Sequence, residues 1–169
     1  MRVLVVLISL LAAPVQAAEI DGVPFIRQGH GTCGPAALAS VMAYYGVPVD
    51  LETITRATYT PEMKGAIFPD LENFARARGF QTELKQGDLA AIKDAIERGR
   101  PVIVLVDVGL WVVSRPHYLV VTAYDDDGFT AHSGYRADEH FSFQRFERLW
   151  KRKGSTYLII RPSSDSSSG

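Results

Sequence analysis

The single cysteine of this 169-residue chain stands in Gln28-Gly29-His30-Gly31-Thr32-Cys33-Gly34-Pro35, a glycine-rich approach to a helix start. A thiol attacks as its thiolate, and the N-terminus of a helix stabilises negative charge. Cys33 is therefore placed for nucleophilic catalysis rather than for packing as a small buried hydrophobe. Its own backbone N–H, in the first helical turn, can point at an oxyanion, and the side-chain amide of Gln28 offers a second donor. Such a thiol needs a base. His117, in Pro116-His117-Tyr118-Leu119-Val120-Val121, immediately precedes an apolar strand, where an imidazole can face a cleft and accept the thiol proton. His30, His132 and His140 occupy polar loops or strand ends and read as surface histidines.

Metal chemistry finds little support. No Cys-x-x-Cys or His-Glu-x-x-His spacing accompanies Cys33 and the histidines. The run Asp125 to Asp127 lacks the distal glutamate of a calcium loop and reads as a solvated turn. Attack by a thiol with an imidazole base requires no metal and no organic cofactor.

The elements that must position these groups follow from periodicity and punctuation. Val23 to Ile26 predicts a short edge strand. A helix is expected from Gly34 to Tyr45, with Pro35 in its first turn, Leu38, Val41, Met42 and Tyr45 on a buried face, and Gly46 as the stop. Asp50 caps a second helix through Leu51 and Ile54. A third runs from Pro69 through Phe74 to Gly79, and a fourth from Asp88 through Ile96 to Gly99. The continuous apolar runs Val102 to Val106 and Tyr118 to Tyr124 are buried strands, joined by a loop from Gly109 to Pro116. Phe129 to Ser133 returns after the turn at Asp125 to Gly128. Phe141 to Phe143 is a further strand, a helix covers Gln144 to Lys151, and Thr156 to Ile160 closes the sheet. Helices first and antiparallel strands afterwards make an α+β fold.

Before this domain, Arg2, the apolar run Val3 to Ala13, Pro14 and Val15-Gln16-Ala17 have the layout of a secretory signal cleaved after Ala17. As a helix the run would reach roughly 16 Å, about half a bilayer core, so a transmembrane anchor is not expected. The expected organisation is a signal peptide at 1–17, one domain at 18–162 and a disordered serine-rich tail at 163–169, in a protein that is periplasmic or secreted. With 18 Lys+Arg against 19 Asp+Glu the formal charge is −1, which argues against nucleic acid as a partner.

The segments Val23-Pro24-Phe25, Gln28, Cys33-Gly34-Pro35-Ala36-Ala37-Leu38-Ala39, Tyr44-Tyr45-Gly46, Arg100-Pro101-Val102-Ile103-Val104 and His117-Tyr118-Leu119-Val120-Val121 resemble the thirty-ninth family of cysteine peptidases. These are papain-like peptidases that process bacteriocin precursors after double-glycine leaders. The resemblance covers about 23–134 and is nearer to small secreted bacterial members than to transporter-fused ones. It implies a papain-like fold, Cys33 as nucleophile, His117 as base, Gln28 as oxyanion donor, and a peptide or protein as substrate.

One position departs from the pattern. The family carries an imidazole-orienting Asp on the strand after the histidine, and here Ser133 occupies that place. A three-residue loop Asp126-Asp127-Gly128 would pair Val121 with Ser133 and put Ser133 on the face of His117, whereas a two-residue loop would put His132 there. A serine can accept the imidazole N–H but cannot stabilise imidazolium as a carboxylate does. Two functions are therefore carried forward: a secreted thiol peptidase, and a peptidase-like module that binds an extended peptide or a partner protein.

Overall fold

A computed structural model describes residues 17–110 and 113–163. Residues 1–16 of the expected signal segment and the tail beyond Ser163 lie outside the described residues. In chain order the elements are β1 (Ala18–Glu19), α1 (Cys33–Tyr44), α2 (Leu51–Thr58), β2 (Tyr59–Thr60), β3 (Gly65–Ala66), α3 (Phe68–Arg76), β4 (Phe80–Gln86), α4 (Leu89–Glu97), β5 (Val102–Asp107), β6 (Pro116–Tyr124), β7 (Gly128–His132), β8 (Glu139–Ser142), α5 (Phe143–Lys151) and β9 (Thr156–Pro162). The main sheet has the order β4-β9-β5-β6-β7-β8, with β1 on β6, and every pairing is antiparallel. The fold is α+β, as expected.

Both faces of this sheet are covered, which explains the unbroken apolar runs of β5 and β6. Val102, Val104, Val106, Leu119 and Val121 pack with Ile92 and Ile96 of α4 and Phe146 and Trp150 of α5. Ile103, Tyr118, Val120, Leu158 and Ile160 point the other way, onto α1, α2 and α3. Helix α1 is more enclosed than a one-faced amphipathic helix: every residue from Gly34 to Met42 is buried. It carries no charged side chain, and Leu38, Val41 and Met42 are wholly inaccessible. Truncating Leu38 or Met42 to alanine would cost about 2–5 kcal/mol. The expected caps form, Asp50 accepting the Thr53 N–H at 3.0 Å and Asp88 that of Ala91 at 2.9 Å.

Three local expectations are corrected. Val23 to Ile26 is not a strand: its carbonyls serve side chains, Pro24 O accepting from Ser40 Oγ and Val23 O from His132 Nε2. Residue 143 belongs to α5 rather than to a strand, because the Ser142 hydroxyl accepts the Arg145 N–H and starts the helix there. An unforeseen strand, β4, pairs with β9 along its whole length.

Candidate active site

Cys33 is the first residue of α1 and is half-buried. The helix starts there because the Ala36 N–H donates to Thr32 O at 2.9 Å. Pro35 has no N–H, so the amides of Cys33 and Gly34 are the donors left over at this end. The Thr32 side chain does not cap them; its hydroxyl instead accepts the Gly29 N–H at 2.8 Å. The nucleophile position is thus flanked by donors that nothing among the described residues claims. Gly34 lets this end sit tight against the sheet, since a Cβ on it would lie 3.1 Å from the Tyr118 ring and 3.2 Å from Ala66 Cβ. Burial, and after it the charges of Cys33 and Asp70, push the Tyr118 phenol well above its ordinary range.

His117 is the second residue of β6, and its Nε2 lies 2.5 Å from the carbonyl oxygen of Ser133. A carbonyl only accepts, so Nε2 carries the hydrogen and Nδ1 holds the lone pair in the neutral ring. Burial holds the imidazole pKa below its ordinary value, and the positive charge of Arg115 acts in the same direction. The Ser133 carbonyl and Glu139 oppose them without prevailing. The ring lies parallel to that of Tyr135, with centroids 5.9 Å apart.

Ser133 does reach His117, but through its main chain. Its hydroxyl is turned to Arg136, accepting that residue's N–H at 3.2 Å. The hairpin reconciles the two loop expectations. Asp125 N–H donates to Gly128 O at 3.0 Å across a two-residue loop, which by itself would bring His132 to the His117 face. A bulge between Val121 and Ala123 adds one residue to β6 and reverses that, so that Val120 faces His132. Ser133 and His117 consequently line one cleft, together with Leu119.

Gln28 is anchored to the same corner. Its N–H donates to Gly134 O at 2.9 Å, and its side-chain amide lies over Gly134 with Oε1 buried and without a hydrogen-bond partner among the described residues. Gly134 has φ +76°, and a Cβ there would collide with that amide. Gly134 also borders a narrow crevice beside Cys33, Tyr118 and His132. The Ser133-Gly134 dipeptide therefore links the three positions: it holds the His117 ring, seats Gln28, and lines the Cys33 crevice.

No hydrogen bond joins Cys33 and His117 among the described residues: Cys33 borders the crevice beside Tyr118, and His117 lines the neighbouring cleft with Leu119 and Ser133. His132 is buried, not at the surface: Nε2 donates to Val23 O at 2.9 Å and Nδ1 accepts the Asp138 N–H at 3.3 Å. Both nitrogens are taken, so it is no competing base. His30 and His140 are exposed, and among the described residues no group of three or more His, Cys, Asp or Glu could hold a metal ion.

A model of the Peptidase_C39 like family matches residues 20–158. The chain belongs to that family. Among solved structures it is similar to the peptidase domain of Streptococcus ComA, a bi-functional ABC transporter involved in a quorum sensing pathway. That match has 23% identity and a TM-score of 0.72, covering 84% of this chain and 100% of that one. It is also similar to a putative C39-like peptidase from Bacillus anthracis, at 17% identity, 86% and 98% coverage and a TM-score of 0.73. A double glycine motif protease from an AMS/PCAT transporter, solved in complex with the leader peptide, has 20% identity, 86% and 95% coverage and a TM-score of 0.67. None of the curated proteins matches the chain. What these likenesses share with it is the fold.

As a member of the Peptidase_C39 like family the chain has the papain-like architecture that its motifs imply. Its site includes residues that sequence reasoning did not single out. Tyr135 covers His117, and Arg136 and Arg145 border the cleft beside it, together with Arg115 of the loop before His117 and Glu139. The available signal for Tyr135 and Arg136 was proximity in sequence, because they directly follow the Ser133-Gly134 corner.

Proposed function

We propose that this protein is a secreted thiol peptidase. The observation that carries the reading is the start of α1, where Cys33 stands at the positive end of a helix whose first amides are uncapped and, among the described residues, unclaimed. Cys33 Sγ attacks a peptide carbonyl, forming the C–S bond. The Cys33 N–H and the Gln28 side-chain amide donate to the oxyanion. His117 takes the thiol proton at Nδ1 and delivers it to the leaving amine, and water then hydrolyses the thioester. Catalytic contacts are often long in a free enzyme and tighten with substrate, so the Cys33–His117 bond is expected to close when a peptide fills the cleft. The leader peptide bound by the AMS/PCAT protease supports a peptide as substrate here. The apolar run Val3 to Ala13 supports export, with the mature chain beginning at Ala18.

A peptide-binding module is the second reading, favoured by the missing carboxylate at Ser133 and by the lack of a Cys33–His117 hydrogen bond among the described residues. Incubating the exported protein with a peptide library separates the two. Cleavage that disappears in both Cys33→Ser and His117→Ala supports the peptidase. Peptide binding with no cleavage by the unsubstituted protein rejects it in favour of the module. Intact-mass analysis of the exported protein checks the Ala18 start, and a soluble exported species retaining Met1 would overturn it.

A further inference from the structure

Beside His117 lies a cleft of about 430 Å³ whose floor and rim differ in character. Leu119 and Phe141 lie beneath it almost wholly buried, the partly exposed Val108 and the exposed Tyr135 ring give it an apolar floor, and Arg115, Arg136 and Arg145 line it as well. Its one carboxylate, Glu139, faces Arg145 at 3.8 Å, and Arg145 also covers the Phe141 ring at 4.7 Å. Arg115 and Arg136 are exposed and enter no ion pair among the described residues. Past Val108 and Arg145 the groove continues across Leu149 between Arg148 and Arg152. Arg152 is held by Asp107 at 3.8 Å, while Arg148 is exposed and forms no ion pair among the described residues.

A chain with a formal charge of −1 thus gathers uncompensated positive charge at the mouth of its candidate site. Arginine forks match carboxylates in geometry as well as charge, and an apolar floor beneath them favours an aliphatic or aromatic side chain between the acids. We propose that this cleft binds an acidic segment of the peptide substrate, with carboxylates on Arg115 and Arg136 and an apolar side chain on Val108 and Tyr135. The inference rests on the peptidase reading for the fate of that peptide. The charge preference itself is read by binding alone.

The test uses the protein carrying Cys33→Ala and three fluorescent octapeptides with one leucine flanked by glutamates, by glutamines or by lysines. Each exposed arginine–carboxylate contact is worth about threefold in affinity, so anisotropy titration should show the glutamate peptide binding about tenfold tighter than the glutamine one, and the lysine peptide weakest. The preference should shrink as salt is raised. Arg136→Glu, an exposed change that leaves the core untouched, should reverse the order, and Arg115→Gln should lower the glutamate preference about threefold. Equal affinities for the three peptides, binding of none of them, or an order unmoved by Arg136→Glu overturns the proposal. A protein that cleaves library peptides yet binds these three alike keeps the peptidase and loses the acidic cleft. One that prefers the glutamate peptide and cleaves nothing keeps the cleft and loses the peptidase.

Discussion

The imidazole of His117 is held by the carbonyl oxygen of Ser133, 2.5 Å from Nε2, and not by the Ser133 side chain. A main-chain acceptor can fix the tautomer and ring plane, the geometric half of what a third-position carboxylate does. It supplies no full negative charge for an imidazolium, and burial disfavours that cation further. The ring is thus oriented as a base yet kept neutral.

Because the carbonyl does the orienting, Ser133→Ala should keep kcat/KM within about threefold, with a stability loss of about 1 kcal/mol from the hydroxyl bond to Arg136. Ser133→Asp should raise the His117 pKa through a nearby opposite charge and leave activity equal or higher. Peptide turnover and thermal melts of both variants check this. A loss above tenfold in a normally folded Ser133→Ala would return the orienting role to the hydroxyl.

The lowered His117 pKa fixes a direction for pH dependence. The folded ring gives up its proton more readily than a free imidazole, so the neutral base persists below the ordinary value of about 6.5. The acid limb of kcat/KM should have its midpoint below pH 6.5, with a plateau above it, and His117→Gln should abolish it with a loss of about 10²–10⁴-fold. Stability follows the same sign: the contribution of neutral His117 is present above about 6.5 and is lost as pH falls through its folded value.

Much of this arrangement was legible in the sequence because it is set by short-range signals. Pro35 and the glycine-rich loop mark the start of α1, Asp50 and Asp88 mark caps, and unbroken apolar runs mark β5 and β6. What escaped depends on long-range partners. In β4, Phe80, Thr82 and Leu84 alternate with polar residues, a weak pattern that becomes a strand only against β9. His132 is buried because Val23, 109 residues away, supplies its acceptor. Whether Ser133 faces His117 turned on one bulged residue at Thr122, whose carbonyl accepts the Ile20 N–H at 2.9 Å. No local rule places such a bulge.

Gly134 and Gln28 should behave as one unit. Gly134→Ala is strained at φ +76° and leaves no room for the Gln28 amide in its present place. If that amide is an oxyanion donor, Gly134→Ala and Gln28→Ala should each lower kcat by about 10²–10³-fold with modest change in KM. The double variant should be little worse than either, because both remove the same donor. Single-turnover rates of the three variants measure the coupling, and strictly multiplicative losses would separate Gly134 from Gln28.

Asp107 is the buried charge on which the approach to His117 depends. It is 3% exposed, yet accepts the N–H of Arg115 at 2.8 Å, the N–H of Gly109 at 2.9 Å and the Ser114 hydroxyl at 2.8 Å. Lys153 and Arg152 lie 3.7 and 3.8 Å from Oδ2. Burial pushes this carboxyl's pKa up, but the Arg115 and Gly109 amides, the Ser114 hydroxyl and the Arg152 charge outweigh it and hold the value down at about 2. A folded pKa below the ordinary 3.8 means that Asp107 contributes its full stabilisation above pH 3.8 and loses it as pH falls from there through about 2. Asp107→Asn keeps the shape but sets an amide among the Ser114, Arg152 and Lys153 donors. It should cost about 2–4 kcal/mol at pH 7 and loosen the turn that delivers Arg115 and His117. In urea denaturation the gap between the two proteins should be constant from pH 7 to pH 5 and narrow steadily between pH 4 and pH 2. A gap that stays unchanged down to pH 2 would mean that the ionised Asp107 carboxylate does not organise this turn.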